Sequence, residues 1–134
     1  MADIDKVGGF VIKEKKVLVV RKRGQDFYIS LGGKRESGET DEQCLTREVK
    51  EELGCTPINV SYLDTFEGRV HNDPTRSIRM ACYLCDLAGD IRLSPEDSIE
   101  EYRWVDRDYQ KEGIKIAYLM ERYVFPALAQ KGLL

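Results

Sequence analysis

The chain has a single histidine, a single tryptophan and four prolines among 134 residues, and its longest purely apolar run is Val17 to Val20. A run that short excludes a membrane-spanning helix, so no membrane partner is expected. The opening Met-Ala-Asp-Ile-Asp-Lys lacks the charged-then-apolar pattern of a secretory signal, and a cytoplasmic location is the expectation. A basic excess is missing too: Lys plus Arg is 21 against 24 Asp plus Glu, a net charge of −3. That balance argues against a nucleic-acid polymer as partner. An anionic small molecule would need local basic groups or a metal. The four cysteines form no metal framework. Cys82 and Cys85 have the C-x-x-C spacing, but no second pair exists, His71 is alone, and residues three apart on a strand point to opposite faces. Cys44, Cys55, Cys82 and Cys85 are therefore expected as buried thiols rather than as a zinc or redox centre.

What is present suits one folded domain. Hydrophobic residues are 42% and charged residues 34%, enough to form a core in a chain of this length. Lys6–Ile12 and Lys16–Arg21 flank the polar Lys13-Glu14-Lys15 and predict a hairpin. Phe27-Tyr28-Ile29 leads into Leu31-Gly32-Gly33, a turn with close backbone approach or positive φ. Thr40 is a candidate N-cap for a helix over roughly 41–53, with Leu45, Val49 and Leu53 as its apolar stripe and Gly54 as its stop. Ile58–Arg69, Ser77–Leu87 and Glu101–Val105 read as strands, with 71–75 and 94–98 as loops. Ile114–Phe125 reads as a second helix that Pro126 kinks or ends. The order strands, helix, strands, helix predicts a mixed sheet between helices, an α+β architecture.

The first helix carries the chemistry. Glu48, Glu51 and Glu52 are related by three and four residues and are expected on one face of the helix, on the side opposite the apolar stripe of Leu45, Val49 and Leu53. Three neighbouring like charges repel, and a hard divalent cation is their natural counter-charge; Mg²⁺ and Mn²⁺ prefer such oxygens. A solvated acidic face, part-neutralised by Arg47 and Lys50, is the alternative at this point.

The wider spacing decides between them. Gly33, five residues, Glu39, seven residues, then Arg47-Glu48-Val49-Lys50-Glu51-Glu52-Leu53-Gly54-Cys55 resembles the Nudix box, G-x5-E-x7-R-E-U-x-E-E-x-G-U with U bulky and apolar. All seven fixed positions match, a coincidence of about one in 10⁸–10⁹ starting positions. Leu31 departs from the Pro that many members carry just before Gly-Gly. The resemblance implies an α/β/α sandwich. It implies Glu48, Glu51 and Glu52 as metal-facing carboxylates, the Gly33 carbonyl as a further ligand, Arg47 as a carboxylate holder, and Glu39 and Gly54 in structural roles.

The implied reaction is Mg²⁺-dependent hydrolysis of a nucleoside diphosphate linked to another moiety, with Mn²⁺ able to substitute. Small size and the lack of downstream subfamily marks look most like the MutT-like nucleoside triphosphate pyrophosphohydrolases. A nucleotide sugar or a dinucleoside polyphosphate is the alternative substrate. A nucleotide-sensing module without catalysis is the rival class, and such modules usually lose box carboxylates. A carboxylate must take the attacking water's proton. The candidates are Glu48, Glu52, and the later acids Glu96, Asp97, Glu100 and Glu101, of which Glu101 is favoured. Lys34, Arg35, Arg69, Arg76 and Arg79 are candidate substrate cations, and Phe27, Tyr28 and Trp104 candidate stacking partners for a base. A homodimer is compatible with all of this.

Overall fold

Val17, Leu18, Val19 and Val20 are all fully buried. A strand apolar on both faces must lie between two packed layers, and that requirement organises the fold. The computed structural model describes residues 2–93 and 98–134. In chain order the elements are β1 (Ile4–Phe10), β2 (Ile12–Lys13), β3 (Lys16–Lys22), β4 (Leu31–Lys34), helix α1 (Asp41–Leu53), β5 (Thr56–Val70), β6 (Asp73–Ala88) and β7 (Ile99–Val105). A 3₁₀ turn follows at Tyr109–Glu112, then a C-terminal helix whose π turn, Met120–Val124, runs into α2 (Phe125–Gln130).

Four strands form a mixed sheet in the order β4-β1-β6-β5, and β2-β3-β7 form a second, antiparallel one. β1 runs parallel to β6 and antiparallel to β4. α1 packs on one side, where Leu45, Val49 and Leu53 meet Val7, Leu18 and Val20. The C-terminal helix packs on the other, where Met120, Val124 and Leu128 meet Phe10, Val17 and Val19. The alternating residues of β3 thus feed two separate cores, and the expected mixed sheet between helices is observed. Cys82 joins the C-terminal-helix core and Cys85 the α1 core. All four cysteines are free and buried, and Cys82 and Cys85 face opposite sides of the sheet, as their strand parity predicts.

Several boundaries differ from expectation. The first hairpin is made by β2 and β3 around Glu14 and Lys15, both at positive φ, whereas β1 passes into the other sheet. The loop over 71–75 shrinks to a turn at His71-Asn72, because β6 already starts at Asp73 opposite Val70. Pro74 is tolerated there because it falls where the β5–β6 register breaks, so no ladder hydrogen bond is lost. Residues 114–117 are extended rather than helical. Tyr28 claims their backbone, its N–H donating to the Lys115 carbonyl at 2.9 Å and its carbonyl accepting from Ala117 N–H at 2.9 Å. Pro126 does not end the helix, which continues to Gln130. Phe125 N–H bonds back to the Met120 carbonyl, and this wider turn makes room for the proline ring that an α turn would crowd.

Candidate active site

α1 begins at a reciprocal cap. The Thr40 hydroxyl accepts from Gln43 N–H at 3.1 Å and the Gln43 side chain accepts from Thr40 N–H at 2.9 Å. It stops at Gly54, which takes the left-handed conformation at φ 71°. Between these ends the helix holds one wall of a cleft of about 750 Å³, with Glu48, Glu51 and Glu52 on that wall and Gly32, Gly33 and Lys34 of β4 beside them.

Arg47 is the clamp. Its Nε and Nη2 donate to the two oxygens of Glu39 at 2.7 and 2.9 Å, its Nη1 to Glu48 Oε1 at 2.9 Å, and its Nη2 also to the Lys34 carbonyl at 3.1 Å. Glu51 Oε1 lies 3.6 Å from Nη1. The loop before α1 is thereby tied to the helix and Glu48 is aimed. Arg47 holds the Glu39 carboxyl down to about 2, helped by the Glu36 N–H. Both glycines of β4 are needed for close approach. A Cβ on Gly32 would lie 2.0 Å from the Val7 carbonyl, at a φ of +109°. One on Gly33 would lie 2.6 Å from the Glu48 carboxyl carbon.

Glu52 corrects the expectation of an acidic face turned away from the apolar stripe. It is 6% exposed and accepts from Gly32 N–H at 2.9 Å. Position 52 follows Leu45 by seven and Val49 by three, so it shares their side of the helix. Burial pushes its carboxyl up to about 8, against the pull of the Gly32 N–H, with the nearby Glu48 adding to the rise.

These groups suit a hard divalent cation. The donors are all oxygens, one carboxylate is buried without a protein cation bonded to it, and the Gly33 backbone lies bare against Glu48. The Gly33 carbonyl also accepts a weak S–H contact, from Cys44 at 3.5 Å. Among the described residues no three His, Cys, Asp or Glu side chains stand together as a ready-made metal site. Mg²⁺ does not require one, since it is usually held by one or two carboxylates plus phosphate oxygens and water.

The later acids stand elsewhere. Glu101 does not line the cleft: it accepts from the Tyr28 hydroxyl and from Arg21 Nε, the latter at 3.0 Å, and these partners lower its pKa. Glu100 pairs with Arg21 at 2.8 Å, and Glu96 and Asp97 lie outside the described residues. Of the candidate cations, Lys34 and Arg69 line the cleft. Arg35 turns to Asp5 and Asp41, Arg79 pairs with Asp5, and Arg76 is exposed outside the cleft. Trp104 sits on β7 of the other sheet, under Lys13, because its strand pairs with β3 rather than with the cleft strands.

The far end of the cleft is aromatic. Phe27 stacks on His71 with centroids 4.1 Å apart, and the Arg69 guanidinium lies 3.8 Å over the Tyr118 ring. His71 Nδ1 accepts from Tyr118 N–H at 2.9 Å, which seats the neutral imidazole with its proton on Nε2. Sequence reasoning missed Lys6, Lys22 and Tyr118, all of which line the cleft, and considered His71 only as a metal ligand. For Lys6 a signal existed: it interrupts the alternating positions Ile4, Gly8 and Phe10 of β1.

The NUDIX domain profile matches residues 4–117. An 8-oxo-dGTP diphosphatase of Haemophilus influenzae is 41% identical over 70 residues, 50% of this chain and 49% of that protein. An ADP-ribose pyrophosphatase of Methanocaldococcus jannaschii is 29% identical over 97 residues, 70% of this chain and 57% of that protein. The chain thus spans about half the length of these curated relatives. The NUDIX domain of Shewanella oneidensis NrtR, solved with ADP ribose, superposes with a TM-score of 0.73 at 16% identity, over 98% of this chain and 89% of that one. The profile covers most of the chain, the box carboxylates share one cleft wall, and the layers are those of the solved neighbours: this chain belongs to the NUDIX domain family.

Proposed function

We propose that the protein is a Mg²⁺-dependent pyrophosphohydrolase of small nucleotides, cleaving a (deoxy)nucleoside triphosphate to the monophosphate and pyrophosphate, with Mn²⁺ able to substitute. The observation that carries this is the buried Glu52 carboxylate beside Glu48 on the cleft wall, bonded to Gly32 N–H. A helix gains no stability from that placement, whereas an ion in the cleft would be bound by it. The cation, when bound, supplies counter-charge to the anhydride oxygens and lowers the pKa of water.

The chain's own residues do the rest. Arg47 holds Glu48 by a 2.9 Å bond so that its carboxylate stays directed at the cleft. Glu48 and Glu52 are the cleft carboxylates able to accept the proton of the attacking water. Glu101 is engaged by Arg21 and Tyr28 and is a poorer base for its lowered pKa. As the water oxygen bonds to phosphorus, the anhydride P–O bond breaks and its electrons leave with pyrophosphate. Phe27 and His71 offer an aromatic wall to the base at the opposite end. The cytoplasm is its proposed compartment, supported by four free thiols.

A panel of nucleoside triphosphates, ADP-ribose, nucleotide sugars and dinucleoside polyphosphates, incubated with Mg²⁺ and read as released phosphate or pyrophosphate, tests this. Turnover of triphosphates that stops in EDTA is expected. Preference for ADP-ribose or a nucleotide sugar would overturn the substrate. Binding without turnover would make the chain a nucleotide sensor, and turnover undiminished in EDTA would overturn the metal chemistry.

A further inference from the structure

Three lysines share the carboxylate end of the cleft with the three glutamates: Lys6, Lys22 and Lys34. Among the described residues none of the three ammonium groups makes an ion pair or a hydrogen bond. Opposite charges that line one end of a cleft without pairing leave both signs available to a ligand.

Lys6 is the informative member. Lys22 and Lys34 are exposed strand-end residues, and solvation alone accounts for them. Lys6 is half-buried in the middle of the sheet. On β1 it occupies the face of Ile4, Gly8 and Phe10, and its register partner on β6 is Met80, flanked two residues away by Ile78 and Cys82. On its other side it is opposite Lys34. Its floor neighbours on β1 and β6 are apolar or glycine, and the charges that face it, Lys34, Glu48 and Glu52, make no bond to the ammonium, which burial takes from water with only the through-space pull of the two glutamates in return. The sheet does not need it, since methionine would fill the same length of floor. Its position beside Glu48 and Glu52 at the carboxylate end is where a nucleotide held through a cation must lay its phosphates.

We infer that Lys6 is a substrate-contacting residue, its ammonium binding the non-bridging oxygens of the nucleotide's phosphate chain from the sheet floor. This rests on the proposed nucleotide specificity. It divides the polyanion between two sets of groups, the carboxylates acting through a cation and Lys6 acting directly. It also explains a half-buried, unbonded ammonium on a largely apolar floor as a trade of stability for binding.

Titration calorimetry with an α,β-methylene nucleoside triphosphate in Mg²⁺, on wild type, Lys6→Met and Lys6→Arg, tests this, alongside the melting temperature of each ligand-free protein. Lys6→Met should bind about 10- to 100-fold more weakly, the range of a charge-assisted hydrogen bond, while melting no lower than wild type. Lys6→Arg should recover most of the affinity. Binding by Lys6→Met within about threefold of wild type would overturn the inference, and so would weaker binding accompanied by a lower melting temperature and no rescue by arginine. A wild-type protein that binds the analogue but turns over nothing would overturn hydrolysis alone, with Lys6 still judged by the same titrations. One that binds no analogue overturns both.

Discussion

The two ends of the cleft are held together in opposite ways. At the carboxylate end, Glu48, Glu51 and Glu52 crowd one wall, Glu52 is buried, and Lys6 is stranded on the floor. The glutamates repel one another and burial costs Glu52 and Lys6 their solvation, offset only in part by the attraction between Lys6 and the glutamates, while α1 holds the carboxylates there by its cap and its apolar stripe. At the aromatic end the groups satisfy each other: Phe27 against His71, His71 Nδ1 on Tyr118 N–H, Arg69 over Tyr118. Under the proposed function the first end is completed by a ligand, whereas the second is complete already. Mutations at the first end should therefore separate activity from stability, and those at the second should not.

The sharpest way to break that contrast is Glu52→Gln. Turnover should fall by at least about 10²-fold, the loss expected for a general base or a principal charge-stabilising group, while the ligand-free protein melts at or above wild type. The pH dependence has a sign. Glu52 has a folded pKa of about 8 against an ordinary 4.5, so the folded state keeps a proton that the unfolded chain has lost. Metal-free stability should then decline as pH rises from about 4.5 to about 8, by up to about 1.4 kcal/mol per unit for one proton, and Glu52→Gln should flatten that decline. Equal slopes in denaturant titrations of the two proteins would remove the contrast.

Gly33→Ala comes next. Its Cβ would meet the Glu48 carboxyl carbon at 2.6 Å, and the end of a flexible side chain can move aside. Turnover should drop about tenfold or more with a stability change near 1 kcal/mol; unchanged turnover would show that the aim of Glu48 is immaterial. At the other end, Phe27→Ala should raise KM about tenfold with kcat little changed, and should also lower the melting temperature, since a ring stacked on His71 is lost. A KM effect with no loss of stability would place this end in the same class as the carboxylates. The smallest effect belongs to Glu39→Gln. The Glu39 carboxyl lies near 2 when folded, so its contribution is present above about 4.5 and is lost as pH falls toward 2. The variant should lose less stability than wild type over that acid interval in thermal melts.

α1 was legible because its signals are local: the Thr40 cap, the stripe at Leu45, Val49 and Leu53, and the stop at Gly54 all lie within the segment they govern. The box residues inherit that legibility, and the helix carries them to one wall. Glu52 was misplaced through an assumption about glutamate, since helix geometry already set it beside Leu45 and Val49. What stayed hidden is non-local. The extended stretch at 114–117 exists because Tyr28 pairs with it, and the departure of β1 from the first hairpin depends on β4 and β6. Glu101 was favoured for its place in the chain, but its direction is set by Arg21 on β3, a neighbour 80 residues away. The aromatic end joins Phe27, the β5–β6 turn and the start of the C-terminal helix, three segments that no single window contains.

The π turn at Met120–Val124 acts as a phase shift within one helix. Ahead of it, Tyr118 lines the cleft and Leu119 both the cleft and the core; beyond it, Phe125 and Leu128 serve the core. One residue inserted into an α-helix rotates everything downstream by about 100°, and the wide turn absorbs such an insertion at the point where the helix changes duty. The cleft residues before the turn and the core residues after it are thereby set in different phases on a continuous rod. A single-codon deletion between Glu121 and Tyr123 would set the phases against each other and leave Pro126 inside an ordinary turn with no room for its ring. A shortening of the helix that looks trivial would therefore cost the protein either its wall or its core.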